Sequence, residues 1–374
     1  MRPAKVSDVV GIINKKFPFG LSEEWDNVGL QVGDAASQVE RIMVALDPLP
    51  EVLDEALDRN CQLLVTHHPL LFKPLRHVTA GTPAGRLLLR AASRGLAVVA
   101  MHTNYDIADG GLNDLLAACL GLQDVRPLKV TGRDTLVKLV VFVPESHFEQ
   151  VRQALFEHVV SVGNYRDCSF AAPGEGSFTP HAGANPSIGT VGQLELVAER
   201  RLEVLVSQGH LAQALRTLVT VHPYEEPAFD CYPLLNEGGS WGLGRIGVLA
   251  ASCRLTDFAD CVLERLGCGH VRLVGDPDRE VHRVAVCSGS GVSLMQDAVR
   301  AGADLLVTGD VKYHEAREAE ACGLALLDAG HFATERVMVA EVQQFLQGAL
   351  AASGYGCEVL AAGGEQDPFR IRYC

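Results

Sequence analysis

The sequence predicts an α/β protein, in which two pseudo-symmetric α/β halves form one metal-binding body interrupted by a ferredoxin-like α+β insert. Three observations carry this expectation. The run Leu-Leu-Val-Thr at positions 63–66 returns at 305–308, and around it residues 41–72 align without a gap on residues 283–314. Self-similarity of that length, strand then helix then strand, is the mark of a duplicated βαβ unit. The middle of the chain departs from this pattern and reads as two βαβ stretches of its own. Histidines and carboxylates follow the apolar strands of both copies, where ligands gather in parallel sheets.

Taken in order, Val6, Val9, Val10 and Ile13 space an amphipathic helix over 6–16, followed by the loop Trp25-Asp26-Asn27-Val28-Gly29-Leu30. Such a loop could cap either a core or a site. A strand at 42–46 leads through a helical stretch to the strand at 63–66, which ends in His67-His68-Pro69. A second strand at 95–99 ends in the segment from His102 to Asp106, and Gly110-Gly111 marks the turn before a helix from Leu112. The insert is expected as a strand at 136–143, a helix at 146–158, a glycine-rich and weakly patterned stretch at 172–190, a strand-like run at 192–197, a strand at 202–207, a helix at 210–221 and a strand at 228–234. Gly238-Gly239-Ser240 reads as a return linker. The second copy then brings strands at 284–287, 305–308 and 323–327, one long helix over about 333–351 and a short strand at 370–373. The expected domains are 1–130, 131–237 and 238–374.

A chain of 374 residues with 48% hydrophobic content can bury two or three cores. A net charge of -14 argues against nucleic acid as the main partner, because that affinity comes from clustered Lys and Arg. No apolar run approaches the roughly 20 residues of a bilayer span, and the opening residues lack a secretory pattern, so no membrane association and a cytoplasmic location are expected. The 11 cysteines contain no C-x-x-C pair, which fits reduced thiols better than a disulfide framework or zinc ribbon.

The chemistry lies in the strand ends. Pro69 turns the backbone out of the sheet after His67 and His68, so both imidazoles can face one cavity. His331 and Glu335, four positions apart behind Gly330, fall on one helical face. Asp106 can coordinate or bridge a divalent ion, although spacing alone does not choose it over Asp109 or Asp114. Each of these has an ordinary reading by itself, as core histidines, an exposed helical contact or a helix cap. Their joint occurrence at equivalent strand ends points instead to two divalent ions, with Zn, Fe, Mn, Co or Ni all compatible with the ligand types. His102, Asp310 and His314 stand where they could orient ligands or relay protons, His102 and His314 as the catalytic candidates. Lys73, Arg76 and Lys312 would suit phosphate oxygens, though solvated surface charge is their default reading; no phosphate-cradling glycine loop occurs.

These motifs, together with Trp25 to Gly33, Thr66-His67-His68-Pro69, Thr103-Asn104-Tyr105-Asp106, Thr308-Gly309-Asp310 and Gly330-His331, resemble the Nif-three-like family, also labelled GTP cyclohydrolase I type 2. The segment from Asn164 to Gly189 with His222-Pro223-Tyr224-Glu225 resembles the insert of the longer members, itself similar to PII and CutA ferredoxin-like domains. The resemblance implies a dinuclear site of His67, His68, Asp106, His331 and Glu335, with Glu335 or Asp106 bridging, in a toroidal homohexamer. Its implied activity is opening of the guanine imidazole ring of GTP by metal-hydroxide attack at C8, releasing formate and dihydroneopterin triphosphate. A nucleotide-like small molecule would then be the partner. The competing expectations are a non-catalytic metal-binding regulator or scaffold, and, more weakly, a two-metal phosphoesterase.

Overall fold

The computed structural model describes residues 2–372. The chain divides into two compact units, Met1–Thr131 together with Trp241–Cys374, and Gly132–Ser240. In the first stretch come β1 (Ala4–Lys5), α1 (Val6–Lys16), β2 (Gly29–Val32), β3 (Gln38–Val39), β4 (Arg41–Ala45), α2 (Pro50–Asp58), β5 (Leu63–Thr66), α3 (Pro83–Ser93), β6 (Ala97–Ala100), α4 (Thr103–Ile107) and α5 (Leu112–Cys119). The middle holds β7 (Gln123–Pro144), α6 (Phe148–Phe156), β8 (Ser169–Phe178), β9 (Glu195–Ser207), α7 (Gln208–Val221) and β10 (Phe229–Arg254). The last stretch holds α8 (Leu255–Leu266), β11 (Arg272–Val274), β12 (Glu280–Val286), α9 (Met295–Arg300), β13 (Leu305–Thr308), α10 (Tyr313–Cys322), β14 (Ala325–Asp328), α11 (His331–Glu335), α12 (Val337–Ala352) and β15 (Glu358–Ala361).

The first unit is a mixed α/β body. One sheet runs β15-β4-β5-β6-β2, in which β4, β5 and β6 are parallel and β2 joins β6 antiparallel. In the other, β12, β13 and β14 are parallel, with β11 and β10 antiparallel at the two sides of the trio. Both Leu-Leu-Val-Thr strands are central and wholly buried. Apolar side chains must therefore point both ways, and they do: Leu63 and Val65 enter one core while Leu64 enters another with Met43 and Val98. Leu305 and Val307 are likewise separated from Leu306. This is the continuous hydrophobic strand of a sheet covered on both faces.

Arg245 of β10 is 2% exposed and carries the polar bond between the two sheets' surroundings. Its guanidinium grips Asp114 of α5 at 2.6 and 2.7 Å and donates to the carbonyls of Gly242, Gly244 and Ala108. Asp114 is thus committed to a structural ion pair, which removes it from the carboxylates left open by spacing. In the second unit, β9 pairs antiparallel with both β7 and β8, and α6 and α7 cover a core of Leu139, Val141, Phe148, Val151, Leu202 and Val204.

Several local expectations change. The run at 202–207 and residues 195–197 of the run at 192–197 belong to one strand, β9, because the charged segment between them lies within a ladder paired along its length, while 192–194 form the turn before it. Part of the glycine-rich stretch is strand β8, whose missing side chains are tolerated where Glu199 crowds Gly176. Gly238-Gly239-Ser240 lies inside β10. The long helix expected over 333–351 is two helices, α11 and α12, broken at Arg336. The final strand is β15, parallel to β4; residues 370–372 form none, and Tyr373 lies outside the described residues. Among the described residues the cysteines are free thiols, and no helix is long and apolar enough to cross a membrane.

Replacing Arg245 with Ala strands the Asp114 carboxylate and several carbonyls. The variant is expected to lose about 3–5 kcal/mol in denaturant unfolding, and an unchanged midpoint would refute the bonding role assigned to Arg245.

Candidate metal centre

Parallel strands deliver the site residues at their carboxyl ends. His67 and His68 leave β5, His102 follows β6, and the Glu335 carboxylate comes from α11 beyond β14. Imidazole centroids lie 5.1 Å apart for His67 and His68, 5.2 Å for His67 and His102, 5.6 Å for His68 and His102, and 5.4 Å for His68 and His331. His67, His68 and His102 bring one ligand atom each within 4.8 Å of one another, as do His68, His331 and Glu335. Asp106 adds a carboxylate oxygen 3.8 Å from His67 Nε2.

What decides the chemistry is where each ring nitrogen's hydrogen goes. His67 Nδ1 faces the Met101 carbonyl at 2.8 Å, His68 Nδ1 faces Asp47 at 2.7 Å, His102 Nδ1 faces Asp26 at 2.8 Å and His331 Nδ1 faces Asp310 at 2.7 Å. Carbonyl and carboxylate oxygens only accept, so each Nδ1 donates and each neutral ring carries its lone pair on Nε2. Four such lone pairs and two carboxylates turn inward together. His67 Nε2 and Glu335 Oε2 are buried without a hydrogen-bond partner, although Oε2 lies 3.1 Å from Nε2 of both His68 and His331. A buried group of acceptors needs cations, which are either protons or metal ions.

The surroundings keep this arrangement in place. Asp26 accepts from the Thr103 amide and hydroxyl as well as from His102. Glu365 accepts from the amides of Leu46 and Asp47, steadying the residue that orients His68. Asp310 takes a left-handed φ of +59°, which Asp tolerates better than most residues and which carries its carboxylate to His331. Gly289, after β12, leaves the space Glu335 occupies: a Cβ there would stand 2.2 Å from Oε1.

The charge distribution agrees. Burial raises the Asp106 carboxyl against the pull of His67, while Glu335, despite burial, is held well below the usual range by the charge of His67 and by the other rings. Burial would lower His68, but Asp47 and Glu335 overcome it and hold the ring up at about 10. His331 is raised to about 9 by Glu335 first and by Asp310. Asp26 falls to about 2, burial being outweighed by His102 and Thr103.

The structure brings together His67, His68, Asp106, His331 and Glu335, with Asp310 behind them. His102 stands in the ring cluster itself rather than behind it. His314 is not brought there: Lys312 caps α10, which starts at Tyr313, so His314 is exposed in its first turn against Tyr313. Lys312 is also exposed, beside Glu315. Sequence reasoning missed Asp47, although it follows β4 as the histidines follow β5, and it assigned no role to Asp26 within its loop.

A family model described as Duf34/NIF3 (NGG1p interacting factor 3) matches residues 4–368. A Halalkalibacterium halodurans protein named GTP cyclohydrolase 1 type 2 homolog is 40% identical over 370 residues, 99% of each chain. A Bacillus subtilis protein of the same name is 39% identical over 362 residues, 96% of this chain and 97% of its own. The crystal structure of a Bacillus cereus protein related to NIF3 superposes with a TM-score of 0.92 at 37% identity, covering all of both chains.

Three outcomes follow from the ring orientations. Because His68 and His331 hold protons to about 10 and about 9, metal uptake near neutral pH is expected to release about two protons. Calorimetry in buffers of different ionisation enthalpy measures this; zero release would contradict it. The same raised values make these rings stabilising below the ordinary 6.5, with that contribution lost as pH rises through about 9 and about 10. The melting temperature of metal-free protein should therefore fall across that window. Removing an orienting carboxylate by Asp47→Ala or Asp310→Ala is expected to weaken metal binding roughly 10–100-fold, measured by competition with a chelator; unchanged affinity would count against their role.

Proposed function

The chain belongs to the Duf34/NIF3 family, and on that footing we propose that it is a dinuclear metal-dependent hydrolase with GTP cyclohydrolase I type 2 activity. The single observation that carries this reading is the convergence of three imidazole Nε2 atoms, of His67, His68 and His331, on the Glu335 carboxylate, with His102 beside His67 and His68 and every Nδ1 engaged elsewhere. The residues fit divalent ions on the strength of their orphaned buried acceptors. His67, His68, Asp106, His331 and Glu335 would hold two ions, with His102 at the edge of the group. Such ions supply Lewis-acid polarisation and a nucleophilic water at neutral pH.

The chain's own groups do the rest. Glu335 serves both sets of rings from one buried position. His102 can accept a proton at Nε2 while Asp26, ionised at any ordinary pH, steadies the cation so formed. Burial of His67 and Glu335 keeps bulk water from competing for these charges. The reaction we assign is opening of the guanine imidazole ring of GTP, with water consumed and formate and dihydroneopterin triphosphate released. The relatives' printed names and this donor set support it.

Two further readings of the fold accompany the proposal. The matching parallel trios β4-β5-β6 and β12-β13-β14 support two pseudo-symmetric halves. The insert's β-α-β-β-α-β connectivity and strand order β10-β7-β9-β8 support a ferredoxin-like unit. The alternative of a metal-binding regulator draws on a cavity of about 1030 Å³ inside the insert, lined by Glu175, Glu199, Arg201 and Tyr224.

Incubating protein loaded with Zn, Fe, Mn, Co or Ni with GTP tests the reading. Formate and a fluorescent pterin are expected, falling to background in Glu335→Gln and His68→Ala. Phosphate without formate would replace the proposal with a phosphoesterase, and no turnover with any of these metals would overturn it.

A further inference from the structure

Beside the ring cluster lies a cavity of about 680 Å³ whose walls include Trp25, Asp26, Gln31, Leu71, Phe72 and Lys73. That volume suits a small organic ligand of nucleoside size. Trp25 is 59% exposed and Phe72 49% exposed, yet both are held. The Asn27 amide donates to the Leu71 carbonyl at 2.6 Å, the Leu71 N–H donates to Gln31 at 3.1 Å, and Gln31 in turn donates to the Asn27 carbonyl at 2.7 Å. Two separate loops are thereby laced together. The lacing sets Trp25 and Phe72 edge to face at 5.8 Å. Both rings also stand edge-on to His102, at 6.0 and 6.2 Å, so the aromatic wall continues directly into the candidate centre.

A lone exposed aromatic is ordinary on a protein surface. A tethered pair is different, because it keeps two large apolar faces in water at a cost that burying them elsewhere would avoid. Their continuity with His102 indicates what they receive. We propose that Trp25 and Phe72 form the binding shelf for the planar heteroaromatic base of a nucleoside phosphate, with Lys73 offering its cation to the phosphates. Asp26 does not repel that ligand, since its carboxylate is consumed by His102 and Thr103. Stacking on an aromatic face is tolerant of base identity, so the shelf positions the ring while the centre selects the chemistry. The proposal deepens the hydrolase reading and rests on it for the class of ligand.

Trp241 is the other tryptophan of the chain, so Trp241→Phe leaves Trp25 as the only indole reporter. In that background, guanosine and GTP are expected to quench emission saturably, and inorganic triphosphate alone is not. Adding Phe72→Leu should weaken guanosine binding about tenfold. By equilibrium dialysis, Trp25→Phe should keep guanosine affinity and Trp25→Leu lose about tenfold, with metal content equal in all variants. The proposal is overturned if Trp25 emission ignores guanosine, or if it changes with protein concentration instead, which would make the patch a contact between copies of this chain. Guanosine binding without formate release would uphold the shelf while removing the reaction. Formate release with normal affinity in Trp25→Leu would do the reverse.

Discussion

Everything at this centre depends on four hydrogen bonds that point away from it. Each ring gives its one neutral-state hydrogen to an outward acceptor, a backbone carbonyl for His67 and carboxylates for His68, His102 and His331. The inward nitrogens are left as lone pairs facing Glu335 and Asp106. Such a hollow cannot stay uncharged at low cost, because buried acceptors without donors are strongly destabilising. Protons can fill it, as the raised values of His68 and His331 indicate, and the same groups could hold a metal ion in their place.

The fold exists around this hollow in a specific way. Parallel strands bring their carboxyl ends to common edges, and the residues just beyond those ends come from segments more than two hundred positions apart. Direct bonds tie them: Ser288 donates its amide to Asn113 and its hydroxyl to Asp106, and the Gly289 amide donates to Thr334. Arg245 adds a buried ion pair to Asp114 close by. The absence of a side chain at Gly289 is as much a part of the site as Glu335, since both cannot occupy the same space.

Much of this was legible in the sequence because a repeated run and strand ends leave strong local marks. The repeated Leu-Leu-Val-Thr run located both central strands, the His67-His68-Pro69 break announced adjacent imidazoles leaving a sheet, and the spacing of His331 and Glu335 placed them on one helical face. Asp47 and Asp26 were harder, because an acceptor behind a ligand has no spacing rule and is chosen by three-dimensional proximity. His314 illustrates the opposite error: alignment with the first copy suggested a site residue, but the helix start at Tyr313 turns that position outward. In the insert, glycine-rich strands lack the alternation that reveals strands elsewhere, so β8 and the glycine run within β10 read as loops.

The most direct test is anomalous diffraction from crystals of metal-loaded protein. Two peaks are expected between the rings, about 2.0–2.2 Å from imidazole Nε2 atoms, with every Nδ1 still on its outward acceptor. Peaks bound through Nδ1, or a centre that takes up no metal, would contradict the account.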